Sequence, residues 1–129
     1  MRMDPEEAAR CLGCGFSRLD EGEQARILRT GEELESLLPL GLRYRVIKKT
    51  PAGGEGLALP GKDAEDLLRD AEEVLVFCAT LGAESARQIR RRFLLDPPLG
   101  MIADACASAL LEGVLDEFEK ELQQFKMMV

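Results

Sequence analysis

The side chains best suited to chemistry are few. The chain has four cysteines and no histidine among its 129 residues. Cys11-Leu12-Gly13-Cys14 has the two-residue spacing of thiolate metal sites and redox pairs. A zinc site needs two further ligands, and only Cys78 and Cys106 remain, each on an apolar segment far from the other. Burial as small apolar residues is the simpler account of that second pair. Without imidazole the Ser-His-Asp and Cys-His schemes are excluded, and acid-base work falls to Asp, Glu, Lys, Cys or the single Tyr44.

Two charged constellations stand out. Arg87, Arg90, Arg91 and Arg92 gather positive charge that could hold a phosphate, a carboxylate or an acidic partner surface, or simply form a solvated helix face. Asp104, Ser108, Glu112 and Asp116 lie four apart, so they share one line of a helix. Carboxylates there could meet a cationic ligand group; the plainer alternative is a wet face. Ala103, Ala105, Ala107, Ala109 and Gly113 on the same segment would let another element approach closely, making one side of it a packing surface. Thr80-Leu81-Gly82 joins an apolar run to a helix but lacks a Walker or dinucleotide glycine pattern, so it marks a tight turn.

The elements that must position these groups follow from periodicity and caps. Asp4-Pro5-Glu6-Glu7 opens a helix that Gly13 and Gly15 stop. Asp20 to Leu38 predicts one or two helices, with Gly31 as a potential break and Pro39 as the end. Leu42 to Thr50 reads as a strand, Pro51 to Gly56 as a turn, and Leu57 to Leu59 as a short returning strand. Asp63 is placed to cap a short helix through Arg69. Glu73 to Leu81 reads as a strand covered on both faces, and Glu84 to Phe93 as a basic helix. Asp96-Pro97-Pro98 starts a long helix through Leu122, with Ala103, Cys106, Leu110, Val114, Phe118 and Leu122 as its buried stripe. The expected class is α+β: helices packed on a small mixed or antiparallel sheet, with a long C-terminal helix, in a single domain over residues 1–129.

Composition narrows the function classes. A net charge of −7 and 5% aromatic residues with no Trp disfavour nucleic acid, whose phosphates would be repelled and whose bases would find few stacking partners. No apolar run is expected to approach the roughly 18 residues of a membrane span, and the N-terminus lacks a signal-peptide apolar region. The expected setting is cytoplasmic, without a membrane partner and with reduced thiols.

Three segments, in order, carry a resemblance: Arg10-Cys11-Leu12-Gly13, then Val76-Phe77-Cys78-Ala79-Thr80-Leu81-Gly82, then Asp104-Ala105-Cys106-Ala107-Ser108-Ala109-Leu110-Leu111-Glu112. Together they make the chain resemble the activation domain of cobalamin-dependent methionine synthase, especially its short stand-alone bacterial relatives. The resemblance implies an α+β module that binds S-adenosylmethionine, the methyl donor when oxidised cobalamin on a partner module is reductively remethylated. Cobalamin would then be met only through a corrinoid-binding methyltransferase module or subunit, with a flavoprotein reductant as a further partner. Glu112 matches the family's acidic residue on this helix, and Asp104 is a candidate by proximity; both are expected on the cofactor. The family's later segment, with an Arg and a Gly-Tyr or Pro-Gly-Tyr turn, has no counterpart in these 129 residues, and Cys11 and Cys14 stand where aromatic residues are common. On that pattern the chain covers the N-terminal portion of the family's fold and is expected to be non-catalytic on its own.

Two other readings stay open. One is an interaction or subunit domain, compatible with a homo-oligomer, that kept the fold without the ligand site and exposes an apolar surface to a partner. The other is a metal or redox protein resting on the cysteines.

Overall fold

The computed structural model describes residues 3–37, 41–48 and 61–128. Among the described residues the helices and strands run in order: α1 (Pro5–Cys11), α2 (Glu21–Glu35), β1 (Gly41–Lys48), α3 (Lys62–Leu68), β2 (Glu73–Thr80), α4 (Ala83–Leu95) and α5 (Pro97–Met128). A 3-10 turn at Phe16–Arg18 links α1 to α2. The class is α+β, with a small two-stranded antiparallel sheet and a long C-terminal helix, as the sequence predicts.

The chain divides into two compact units, Met1–Gly41 with Ala79–Val129, and Leu42–Cys78. In the first, α5 packs against α1, α2 and α4. Its small residues make that possible: Ala103, Ala105, Ala107 and Ala109 are all buried, and Cys106, Leu110 and Val114 continue the apolar stripe. Ile27 and Leu34 of α2, Ala8 of α1 and Met3 close the core with them. Phe118 and Leu122, expected on the stripe, are only half-buried.

The helix ends follow their caps. The Asp4 carboxylate accepts from the Glu6 amide at 3.0 Å with Pro5 in the first turn, and the Asp20 carboxylate accepts from the Glu23 amide at 2.8 Å. Gly13, at φ 83°, turns the chain out of α1. The Gln24 side-chain amide donates to the Phe16 and Leu19 carbonyls, tying the 3-10 turn to α2. Gly31 does not break α2; it is buried beneath Met3, whose side chain occupies the space a Cβ would need.

Several expectations are corrected. α3 is capped by Gly61, with no side-chain cap bond, and Asp63 lies inside its first turn. β2 is not covered on both faces: its exposure nearly alternates, leaving Val76 and Cys78 exposed. In the same unit β1 exposes Tyr44 and Val46 and buries Ile47. The turn expected at residues 51–56 and the strand expected at residues 57–59 lie outside the described residues. α5 contains one stretch, Pro97–Gln124, that by length and composition is long and apolar enough to cross a membrane. It is inconspicuous in the sequence because its apolar character comes from Ala and Gly interleaved with single acids. Its buried residues are those that face α1, α2 and α4, the position of a core helix.

Candidate functional site

Two neighbouring helices build the most chemically specific place in the first unit. α1 contributes Glu7 and Arg10, three apart and so on one side of that short helix, and its N-cap residue Asp4 joins them. α5 contributes Ala109, Glu112, Gly113 and Asp116, again one side. The two sides enclose a groove of about 240 Å³, open to solvent. Ala109 is buried where the helices meet, whereas Gly113 faces open space: a Cβ added there would meet nothing within 4 Å.

Four carboxylates and one guanidinium therefore line a single groove. Arg10 Nη2 donates to Glu7 Oε1 at 2.9 Å, which neutralises one acid, and one Asp4 oxygen is held by the Glu6 amide. Among the described residues Glu112 and Asp116 have neither an ion-pair nor a hydrogen-bond partner. Glu112 is thus the sequence-predicted residue that the fold brings into company. Asp104 is exposed and does not line the groove, since it sits roughly 12 Å further back along the helix. Ser108, on the same line, is exposed as well. Sequence reasoning missed Asp4, Glu7 and Arg10 as members; it read the acids as helix-start residues, which they also are.

A second cluster lies where α4 meets α2 and α5. Arg92 turns inward and donates through Nη2 to Glu33 Oε2 at 2.5 Å, while its buried Nη1 has no partner among the described residues. Beside it the Cys106 thiol is buried and donates weakly to the Ile27 carbonyl at 3.6 Å. Burial pushes this thiol from 9.0 up to about 12; the Arg92 charge pulls it partly back and Cys11 adds a smaller upward push. At neutral pH it is protonated and unreactive.

The remaining expected groups are dispersed. Cys11 is exposed, the half-buried Cys14 donates to the Ala9 carbonyl at 3.4 Å, and Cys78, expected to be buried, is exposed on β2. Among the described residues no three His, Cys, Asp or Glu side chains are grouped as a metal ion would need. Arg87 pairs with Glu84 at 3.0 Å, whereas Arg90 and Arg91 are exposed without an ion-pair partner among the described residues. The Thr80-Leu81-Gly82 segment is a tight turn: Gly82 has φ 90°, and its amide donates to the Thr80 hydroxyl at 3.1 Å. Comparison with known protein families, with curated proteins and with solved structures returns no match.

Proposed function

We propose that the chain is an accessory module of a cobalamin-dependent methyltransferase system, methionine synthase-like, which takes S-adenosylmethionine at the groove between α1 and α5. The observation that carries this reading is the company of Glu112: two carboxylates, unpaired among the described residues, and a guanidinium converge on one small-residue groove. S-adenosylmethionine bears a sulfonium, an ammonium and a carboxylate. Glu112 and Asp116 attract the two cations, and Arg10 is placed for the carboxylate, exchanging it for Glu7. A volume of about 240 Å³ lies below the usual range for a whole drug-sized ligand, so the groove would hold the amino-acid end and leave the nucleoside outside. Cobalamin stays on the partner module in this scheme, and the bound cofactor would supply the methyl group to it.

Calorimetric titration of the full chain with S-adenosylmethionine at low salt tests the reading. Glu112→Gln is expected to weaken binding at least about tenfold, the scale of one lost charge-assisted contact. Gly113→Leu should abolish it by filling the groove without removing a charge. No heat at millimolar ligand sinks the proposal.

A second reading, an interaction domain without a ligand, is favoured by a different observation: Leu94, Leu95 and Met101 are 81%, 75% and 56% exposed. It predicts association of the chain with no response to S-adenosylmethionine.

A further inference from the structure

The turn between α4 and α5 is a short apolar corner with a basic rim. Only Asp96 separates the two helices; the Phe93 ring lies against Gly100 yet stays partly exposed, and Leu94 and Leu95 point outward. At about 100° per residue, Arg87, Arg90, Arg91 and Leu94 share roughly a third of the helix circumference. Arg87 has its partner in Glu84; Arg90 and Arg91 have none among the described residues. Exposed leucines rimmed by arginines have the make-up of a protein contact, where apolar anchors and Arg are enriched.

The complementary surface is present on the same chain. Along α5 the buried line Cys106, Leu110, Val114 continues into Glu117 and Glu121, where the core ends and both side chains are exposed. Neither glutamate has an ion-pair partner among the described residues, and the half-buried Phe118 lies next to Glu121 around the helix. Met101 and Glu121 are roughly 30 Å apart along the helix, so one molecule cannot close the contact on itself.

We infer that the face of Arg90, Arg91 and Leu94 on one copy docks on the line of Glu117 and Glu121 on a second copy, and the reverse, about a two-fold axis that runs the two α5 helices antiparallel. Such an arrangement is isologous and closed, so it yields a dimer rather than a filament. The charge of −7 on each copy opposes approach at long range. The two Arg-Glu sets then supply register and specificity, and they make the contact sensitive to salt.

Sedimentation velocity on the whole chain tests this. At about 0.05 M NaCl the wild type should form a concentration-dependent dimer, and at about 0.5 M, where screening reaches the contact distance, it should dissociate. The pair Arg90→Glu with Arg91→Glu should be monomeric, and so should the pair Glu117→Arg with Glu121→Arg. Mixed together, the two variants should dimerise, because each face then meets its opposite charge at both contacts. A wild type that stays monomeric at every concentration overturns the inference and leaves the corner to a foreign partner. A dimer that survives both charge reversals, or a mixture that stays monomeric while both variants keep wild-type circular dichroism, also overturns it. Should a reversal unfold the chain, Arg90→Gln with Arg91→Gln must weaken the dimer at least about tenfold, or the inference fails.

Discussion

A single methyl group at Gly100 should destabilise this protein although it improves the local helix. Replacing glycine by alanine inside a helix ordinarily gains about 1 kcal/mol. At Gly100 the new Cβ would lie 2.5 Å from Phe93 Cγ, 2.6 Å from Cδ1 and 2.7 Å from Cα. The ring can rotate away, but the Phe93 backbone moves only if α4 and α5 part. Overpacking of this kind costs about 3 kcal/mol, so the net loss is about 2 kcal/mol. That lowers the melting temperature by about 7 °C if the whole chain unfolds together, and by nearer 10 °C if the unit holding α5 melts alone.

The control lies further along the same helix. Gly113→Ala meets nothing within 4 Å and should gain the full helix propensity of alanine, raising the melting temperature by about 4 °C. Thermal melts followed by far-ultraviolet circular dichroism measure both. A double-mutant cycle with Phe93→Ala removes the overlap with the ring and leaves the overlap with the backbone of residue 93, so it should recover about 1 kcal/mol and no more. If Gly100→Ala stabilises as Gly113→Ala does, the corner is not close-packed and the reasoning fails.

Other consequences can be measured directly. The Cys106 thiol is raised on folding, so its contribution is fully present below pH 9 and is lost as the pH climbs toward 12. Urea melts should show stability falling by about 1 kcal/mol per pH unit across that window, and the fall should be shallower in Cys106→Ala. Thiol titration of the native protein should label the exposed Cys11 and Cys78 first and reach Cys106 only after unfolding. Glu33→Ala strands the mostly buried Arg92 and should cost about 1–2 kcal/mol in urea melts, a figure held down by the half-exposure of Glu33. Arg92→Met keeps the stem and removes the unpartnered Nη1, so it should cost less than Glu33→Ala.

The sequence made local features legible because each rests on neighbours within a few residues. The Asp4 and Asp20 caps, the Gly13 turn and the buried positions from Ala103 to Val114 needed only spacing and side-chain chemistry. The pairing of faces was not legible. Periodicity says that Glu112 and Asp116 share a side; it does not say that this side meets Asp4, Glu7 and Arg10 from the other end of the chain. Cys78 went astray for a related reason: an apolar run has the same composition whether one or both faces of a strand are covered. Arg92 was recoverable. Arg90, Arg91 and Arg92 are consecutive on a helix and sweep about 200°, so they cannot all lie on one solvated face. One of them had to approach the core, and the core had to supply an acid for it, which Glu33 does.

The same logic bears on why the groove is the more informative of the two charged places. Arg92 and Glu33 neutralise each other, so their cluster is explained by the fold that contains it. Glu112 and Asp116 are one turn apart on one helix, opposite Asp4 and Glu7 on another, with a single arginine among them. Like charges at such spacing each cost a few tenths of a kcal/mol, and nothing in the packing of Ala109 and Gly113 requires acids beside them. A cation entering the groove would relieve that repulsion, and a ligand at a hundred times its dissociation constant would add about 2.7 kcal/mol to stability. On the proposed reading, stability would follow occupancy of the groove. If the proposed site takes S-adenosylmethionine, neutralising Glu112 should steady the free protein slightly while shrinking the stabilisation the ligand would bring, two opposite signs that a purely structural carboxylate would not give.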